Sequence, residues 1–289
     1  IKEGFLKYLF NVNFFLSNNI CDIFPSKTIK IYFHHNIYDD PWVSSDKEEK
    51  MCQRLSGYNF IFVSSLISQK KVMEMFTKYE MYKIPKIIDT GYVKLDYILE
   101  NYHKEINSPK NSILIAPTDI FGFPELSIKN NLQKIIEILI LNTRKNIILR
   151  PHPRNKNDIF FKKLQNHFSQ NERFFYDESD NYVDTYTKSD LMITDMSGTA
   201  YTFAYINLCP TIFFSNSEKY LEENNYSNHK FYLNRNKIGK ITFNENDLIE
   251  TINDLYKNKE KYKNQIFKLR SEMKYLNKST ERLIDFFNQ

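Results

Sequence analysis

Three short segments carry side chains suited to chemistry. His34-His35 follow an apolar stretch, Lys30 to Phe33, that reads as a strand. A histidine at such a strand end is a natural general base for a hydroxyl, because its ordinary pKa lies near working pH. Neighbours on a strand point to opposite faces, so one ring of the pair enters a site and the other is structural. Asp39 or Asp40 is placed to orient the base. Pro151-His152-Pro153-Arg154 restrains the backbone on both sides of His152, with Arg150 and Arg154 flanking it. A histidine held this way can donate to a phosphate oxygen and stabilise a leaving group. The bland alternative is a turn histidine bonded to a backbone carbonyl. Thr194-Asp195-Met196-Ser197-Gly198-Thr199 runs from a candidate strand into a helix. Free N–H groups, the positive dipole end, two hydroxyls and the close backbone approach at Gly198 suit a phosphate or diphosphate. Here the alternative is simple capping of the helix by Ser197 or Thr199.

The elements that must hold these residues follow from the apolar pattern. Strands are expected at 30–33, 58–64, 86–89, 112–116, 146–150, 174–176, 191–194 and 211–214. Helical spacing falls between them at 65–79, 95–102, 129–141, 158–168, 183–188 and 198–206, and two helices, 245–258 and 259–287, close the chain. Apolar strands alternating with helices give an α/β fold with parallel sheets covered on both faces. Ligands of such sheets bind beyond the carboxyl ends of the strands. Special residues recur there: His34-His35, Ser64-Ser65, Thr90-Gly91, Pro117-Thr118, Pro151-His152-Pro153 and Asp195 to Thr199. The polar stretch Ser108 to Asn111 divides the chain into units 1–108 and 109–289. The first looks incomplete, and because the chain opens on Ile1, earlier strands are expected to precede it.

Composition excludes several classes. A chain of 289 residues that is 42% hydrophobic can bury a substantial core and is not mostly disordered. Gly 6 and Pro 9 are too few for a collagen-like chain. Lys+Arg 40 against Asp+Glu 35 leaves +5, a mixed surface rather than a nucleic-acid stripe, compatible with an anionic substrate or a phosphate-rich membrane face. The many Phe, Tyr, Lys and Asn residues read as compositional background. Cys21, Cys52 and Cys209 are far apart and odd in number, which fits reduced thiols in the cytoplasm better than a disulfide framework or a structural metal. No apolar run reaches the roughly 18 residues of a membrane span, and Ile1 to Leu16 lacks the small-residue site of a secretory signal. Dinucleotide, P-loop and nucleophile-elbow motifs are absent, as are DxD and HxxxH. No cofactor and no required metal are therefore expected.

Taken in order, the segments IYFHHNIYDD, Gly91 to Asp96, ILIAPT, LRPHP, Asp184-Thr185-Tyr186, SDLMITDMSGT and LCPTIFF resemble the CDP-glycerol glycerophosphotransferase family of teichoic-acid and capsule polymerases. The resemblance covers roughly residues 30 to 220. It implies a GT-B fold, two Rossmann-like domains with parallel sheets facing across a cleft, the second binding the cytidine diphosphate donor. The family's Trp-His-Gly reads Phe33-His34-His35-Asn36, so His34 or His35 is the implied base. Its Pro-His-Pro histidine maps onto His152. Its Thr-Asp-Tyr-Ser-Ser maps onto Thr194-Asp195-Met196-Ser197-Gly198, with Thr199 supplying the hydroxyl that Gly198 lacks. Its Gly-x-Pro-Arg-x-Asp reads Gly91-Tyr92-Val93-Lys94-Leu95-Asp96, with Asp96 as an organiser.

The implied reaction is metal-independent transfer of a glycerol-phosphate or related polyol-phosphate unit from a CDP-linked donor to a hydroxyl acceptor. Thr118, Arg150, Asp195, Ser197, Gly198 and Thr199 would bind the donor, while His34, His35 and His152 carry the catalysis. A cytoplasmic enzyme is expected, peripheral at the inner face of the plasma membrane where its polyol-phosphate or glycan acceptor is lipid-linked. No nucleic acid partner is expected. The Lys-rich closing helices suit an anionic bilayer, or simply a solvated packing helix. Alternatives on the same scaffold are a sugar transferase with a CMP- or other nucleotide-linked donor, an epimerase-like enzyme and a non-catalytic binding protein.

Overall fold

A computed structural model describes residues 12–25, 27–38, 47–224, 226 and 229–288. Asp39 and Asp40, the expected orienting carboxylates, lie outside the described residues, as do the first eleven positions. The chain forms two compact units. One comprises residues 1–93 and 273–289, the other residues 94–272.

The first unit is built on a parallel sheet of β1 (Phe14–Ser17), β2 (Ile29–Phe33), β3 (Phe60–Val63) and β4 (Lys86–Asp89), in that spatial order. Successive side chains alternate between its faces. Tyr32, Ile61, Val63 and Ile87 pack with the helices Glu48–Leu55 and Leu66–Lys78 through Met51, Leu55, Val72, Met75 and Phe76. Ile31, Phe62 and Ile88 face the other way and meet Leu283, Phe286 and Phe287 of the helix Ser279–Phe287. Each fully buried side chain of this size contributes about 1.5–3 kcal/mol. Burial on both faces is why β3, FIFV, reads as a continuous apolar run.

In the second unit six parallel strands run in the order β10-β9-β8-β5-β6-β7. They are β5 (Ser112–Ile115), β6 (Asn146–Leu149), β7 (Phe174–Tyr176), β8 (Ser189–Thr194), β9 (Thr211–Phe214) and β10 (Gly239–Thr242). The chain starts in the middle, winds outward to β7, then returns to β8 and winds the other way. This is the Rossmann order, and the reversal falls between β5 and β8. All residues of β5, β8 and β9 are buried. The loops leaving β5 and β8 therefore diverge at the switch point, where doubly wound sheets bind ligands.

Two expectations differ from the structure. A single helix over 259–287 is expected. Instead helix Lys259–Ser271 ends and helix Ser279–Phe287 begins after a turn in which Asn277 takes φ 61°, a left-handed position that asparagine tolerates. That break lets the last helix join the first unit. The stretch 108–111 lies within the second compact unit, which takes in helix Val93–Asn101 from Lys94 onward. Strands β1 and β10 escape the apolar pattern. In β1 exposed and half-buried residues alternate. β10 opens on Gly239, whose Cα lies so close to the Thr211 backbone that a Cβ has no room.

Candidate functional site

The switch point of the second unit is organised by Asp195. β8 ends at Thr194, whose hydroxyl donates to the Ala116 carbonyl at 2.5 Å, clipping β8 to the end of β5. The next residue, Asp195, is buried and accepts the backbone N–H groups of Thr118 (2.9 Å) and Ile128 (3.2 Å). Burial pushes its carboxyl up to about 7, with those N–H groups opposing. Asp195 thus pins both ends of the loop that leaves β5.

Ser197 and Gly198 follow, and helix Thr199–Asn207 starts. The capping alternative is not what the structure shows. Gly198 precedes the helix at φ −57°, and no side chain caps it. The Thr199 hydroxyl instead hydrogen-bonds the phenol of Tyr186, whose pKa burial raises to about 12. In the first turn the Ala200 and Tyr201 N–H groups bond the Ser197 (3.1 Å) and Gly198 (3.3 Å) carbonyls, so the helix start keeps its positive dipole end with no side chain capping it.

On the other side of β5, strand β6 delivers Arg150 and His152. Arg150 bonds Asp177 (2.5 Å), the Ser179 hydroxyl (3.2 Å) and the Ser179 carbonyl (2.8 Å). Burial would raise the Asp177 carboxyl, but the Thr185 and Ser179 hydroxyls and Arg150 outweigh it and hold it low. Arg150 is thus a braced cation at the strand end. Beyond it, residues His152 to Asn155 form a turn closed by the Asn155 N–H on the His152 carbonyl at 2.7 Å. The His152 Nδ1 accepts the Arg154 backbone N–H at 3.3 Å. This places the neutral ring's proton on Nε2 and makes that nitrogen a donor.

Thr118, Arg150, His152, Asp195, Ser197, Gly198 and Thr199 all lie beyond the carboxyl ends of β5, β6 and β8, three adjacent strands. Sequence reasoning missed the groups that fasten them. Asp119 and Asn155 join the β5 loop to the His152 turn, while Asp177 holds Arg150. It also passed over Lys94, whose ammonium sits 4.3 Å from the Tyr182 ring centre. Crowding by protein, then the charge of Arg150, lowers its pKa. All but Tyr182 sit within five residues of an expected strand end, the signal that could have found them.

The first unit carries His34 and His35 beyond β2. His34 is buried and its ring is held well below the usual histidine pKa, first by burial and then by His35, so it stays neutral at working pH. The His35 side chain is exposed, and its carbonyl accepts the Tyr92 hydroxyl at 2.9 Å. Beyond β3, the Ser64 hydroxyl donates to the Ile37 carbonyl at 3.0 Å and fixes the segment after the two histidines. Among the described residues no group of three His, Cys, Asp or Glu side chains is placed to hold a metal ion.

The family model of CDP-glycerol:poly(glycerophosphate) glycerophosphotransferases matches residues 33–287, from the strand end before the histidine pair to the last helix. The chain belongs to this family. Like the family it is a transferase, moving glycerol phosphate from CDP-glycerol to a poly(glycerophosphate) acceptor. No curated protein matches it by sequence. Among solved structures it is similar to the wall teichoic acid polymerase TagF soaked with CDPG, with TM-score 0.65, 17% identity, and coverage of 96% of this chain and 71% of that one. It is also similar to UDP-GlcNAc 2-epimerase of Methanocaldococcus jannaschii in complex with UDP-GlcNAc and UDP, with TM-score 0.56, 14% identity and coverage of 91% and 76%. At these identities the likeness speaks to fold, and it is of GT-B type with two Rossmann-like units.

Proposed function

We propose that the switch point of the second unit binds the CDP-glycerol diphosphate, with His152 as the donor to the departing CMP. The supporting observation is the convergence at three neighbouring strand ends of an uncapped, glycine-led helix start, a braced arginine and a histidine whose Nε2 carries the proton. A polymer hydroxyl attacks the glycerol-bearing phosphorus. The new phosphorus–oxygen bond forms as the bond to the CMP oxygen breaks. His34 or His35 takes the hydroxyl proton. The Ser197, Gly198 and Thr199 N–H groups and the His152 Nε2–H stabilise the charge that builds on the phosphoryl and leaving oxygens. Asp195 and Arg150 hold the frame.

The test is turnover of CDP-glycerol beside a CMP-linked sugar, following CMP release and acceptor elongation. Elongation with CDP-glycerol alone is expected. Release from the sugar donor only would overturn the donor assignment. His152→Ala is expected to lower kcat about a hundredfold, the scale of one lost transition-state donor. Of His34→Ala and His35→Ala, the base is the one whose loss lowers kcat with little change in donor KM. Unchanged kcat in both would remove the pair from the mechanism.

The acceptor end of the reading includes a lipid-linked polymer at an anionic membrane surface. The outer side of helix Lys259–Ser271 supports it: Lys259, Lys261, Lys263 and Lys268 are exposed around Phe267, itself 54% exposed.

A further inference from the structure

His152 can act only if its turn is held still, and the turn is on the surface. Its one fully sunk member is Asn155, 0% exposed. The Asn155 amide is used at both ends. Its oxygen accepts the Ile120 N–H (3.1 Å), and its nitrogen donates to the Asp119 carboxylate (3.1 Å). Asp119 also accepts the Phe121 N–H (3.1 Å) and pairs with Arg154 (3.3 Å), the residue whose own N–H reaches the His152 ring. The side chains of Asn155 and Asp119 therefore lock the two loops together by complementary donor and acceptor atoms. On the far side the β5 loop is pinned by Asp195, which leads into the helix start.

We propose that the Asn155–Asp119 pair positions His152, fixing its turn to the β5 loop and so to the helix start that holds the diphosphate. Both are positioning residues, acting through His152. An acid in place of Asn155 would face the Asp119 carboxylate with no proton to donate, and the lock would open. Exchanging both residues restores the contact between the loops, since the carboxylate now at position 155 would accept the Ile120 N–H and an amide proton from position 119. Asp119 Oδ1 serves both Asn155 and Phe121 in the wild type, however, so the Phe121 N–H loses its acceptor and Arg154 its carboxylate.

The inference rests on the reading that His152 serves the donor, and the experiment separates the two. The full chain is assayed for CMP release from CDP-glycerol, with donor KM, kcat and thermal midpoint measured for wild type, Asn155→Asp, and the double variant Asp119→Asn with Asn155→Asp. Asn155→Asp is expected to lose about ten- to a hundredfold in kcat, the scale of a small misplacement of a reacting group, with donor KM within about threefold because the helix start is untouched. The double variant is expected to recover part of that loss, about tenfold, because the contact between the loops returns while the Phe121 bond and the Arg154 ion pair do not. Should the single variant fail to fold, the double variant decides. Folded, binding donor and active, it supports the proposal; folded and binding donor but as slow as His152→Ala, it overturns it. Wild-type kcat in a folded Asn155→Asp also overturns it. A wild type that releases no CMP, or a His152→Ala variant as fast as wild type, sinks the reading beneath.

Discussion

Asp195 works by being an acceptor in a place that disfavours its charge. Two backbone N–H groups require a lone pair from it, yet burial lifts its pKa from 3.8 to about 7. The folded chain therefore binds a proton that the unfolded chain has released between those values. Stability from this group is greatest below the ordinary carboxylate range and declines as pH rises toward about 7. An asparagine in its place would not titrate, but its side chain has one acceptor oxygen where two N–H groups wait. Thermal midpoints of wild type and Asp195→Asn between pH 4 and 8 check this. The advantage of wild type is expected to shrink as pH rises, by an amount on the order of a few kcal/mol across the window. A constant difference would mean that Asp195 stays ionised throughout. Gly91 shows the backbone counterpart. It takes φ +74°, and a Cβ there would run into Ser279 and come within 2.9 Å of Tyr275. Gly91→Ala should cost about 2 kcal/mol or more, read as a lower midpoint.

At the scale of elements, the last helix is the piece the sequence misassigns and the first unit depends on. Phe286 meets Phe60 and Phe62 edge to face at 4.9 and 4.8 Å, covering a sheet face that would otherwise be open. Phe286→Ala is expected to cost about 2–3 kcal/mol, and Phe286→Leu less, since it keeps apolar area and loses the edge-to-face contacts. Equal midpoints for all three chains would show that the helix does not cover the sheet in solution. Its partner is not legible in the sequence either, because a 3.6-residue stripe says that a face is buried and not against what. The same limit applies elsewhere. Thr211–Phe214 is legible residue for residue, because burial of every residue leaves an apolar run, and Lys86–Asp89 is legible as the pair Ile87-Ile88 broken by Thr90-Gly91. The post-strand residues are legible as a set, since topology puts every carboxyl end of a parallel sheet on one edge. The partners are not: nothing local in Asn155 or Asp177 reveals the loop or arginine it will hold. Arg150 could be read as a free phosphate ligand only until its bonds to Asp177 and Ser179 are seen.

For the molecule as a whole, the modest +5 charge matters through where it is placed. Helix Lys259–Ser271 buries Tyr262, Ile266 and Leu269 in its own unit, which makes it a packing helix. The same burial turns its lysines outward, so the two readings of the Lys-rich segment are the two sides of one helix. Among the described residues no helix is long and apolar enough to cross a membrane. A hold on a bilayer by this helix would come from surface charge and shallow insertion, with each lysine near an anionic surface adding about 1 kcal/mol. Reversing two charges while sparing the buried side should separate binding from folding. Lys261→Glu with Lys268→Glu is expected to lower co-sedimentation with phosphatidylglycerol vesicles about tenfold or more, leaving the midpoint and the turnover of a soluble acceptor unchanged. Binding should also fall as salt is raised and be weak on phosphatidylcholine alone. Retention that ignores lipid charge, salt and both lysines would show that this face takes no part in holding a bilayer.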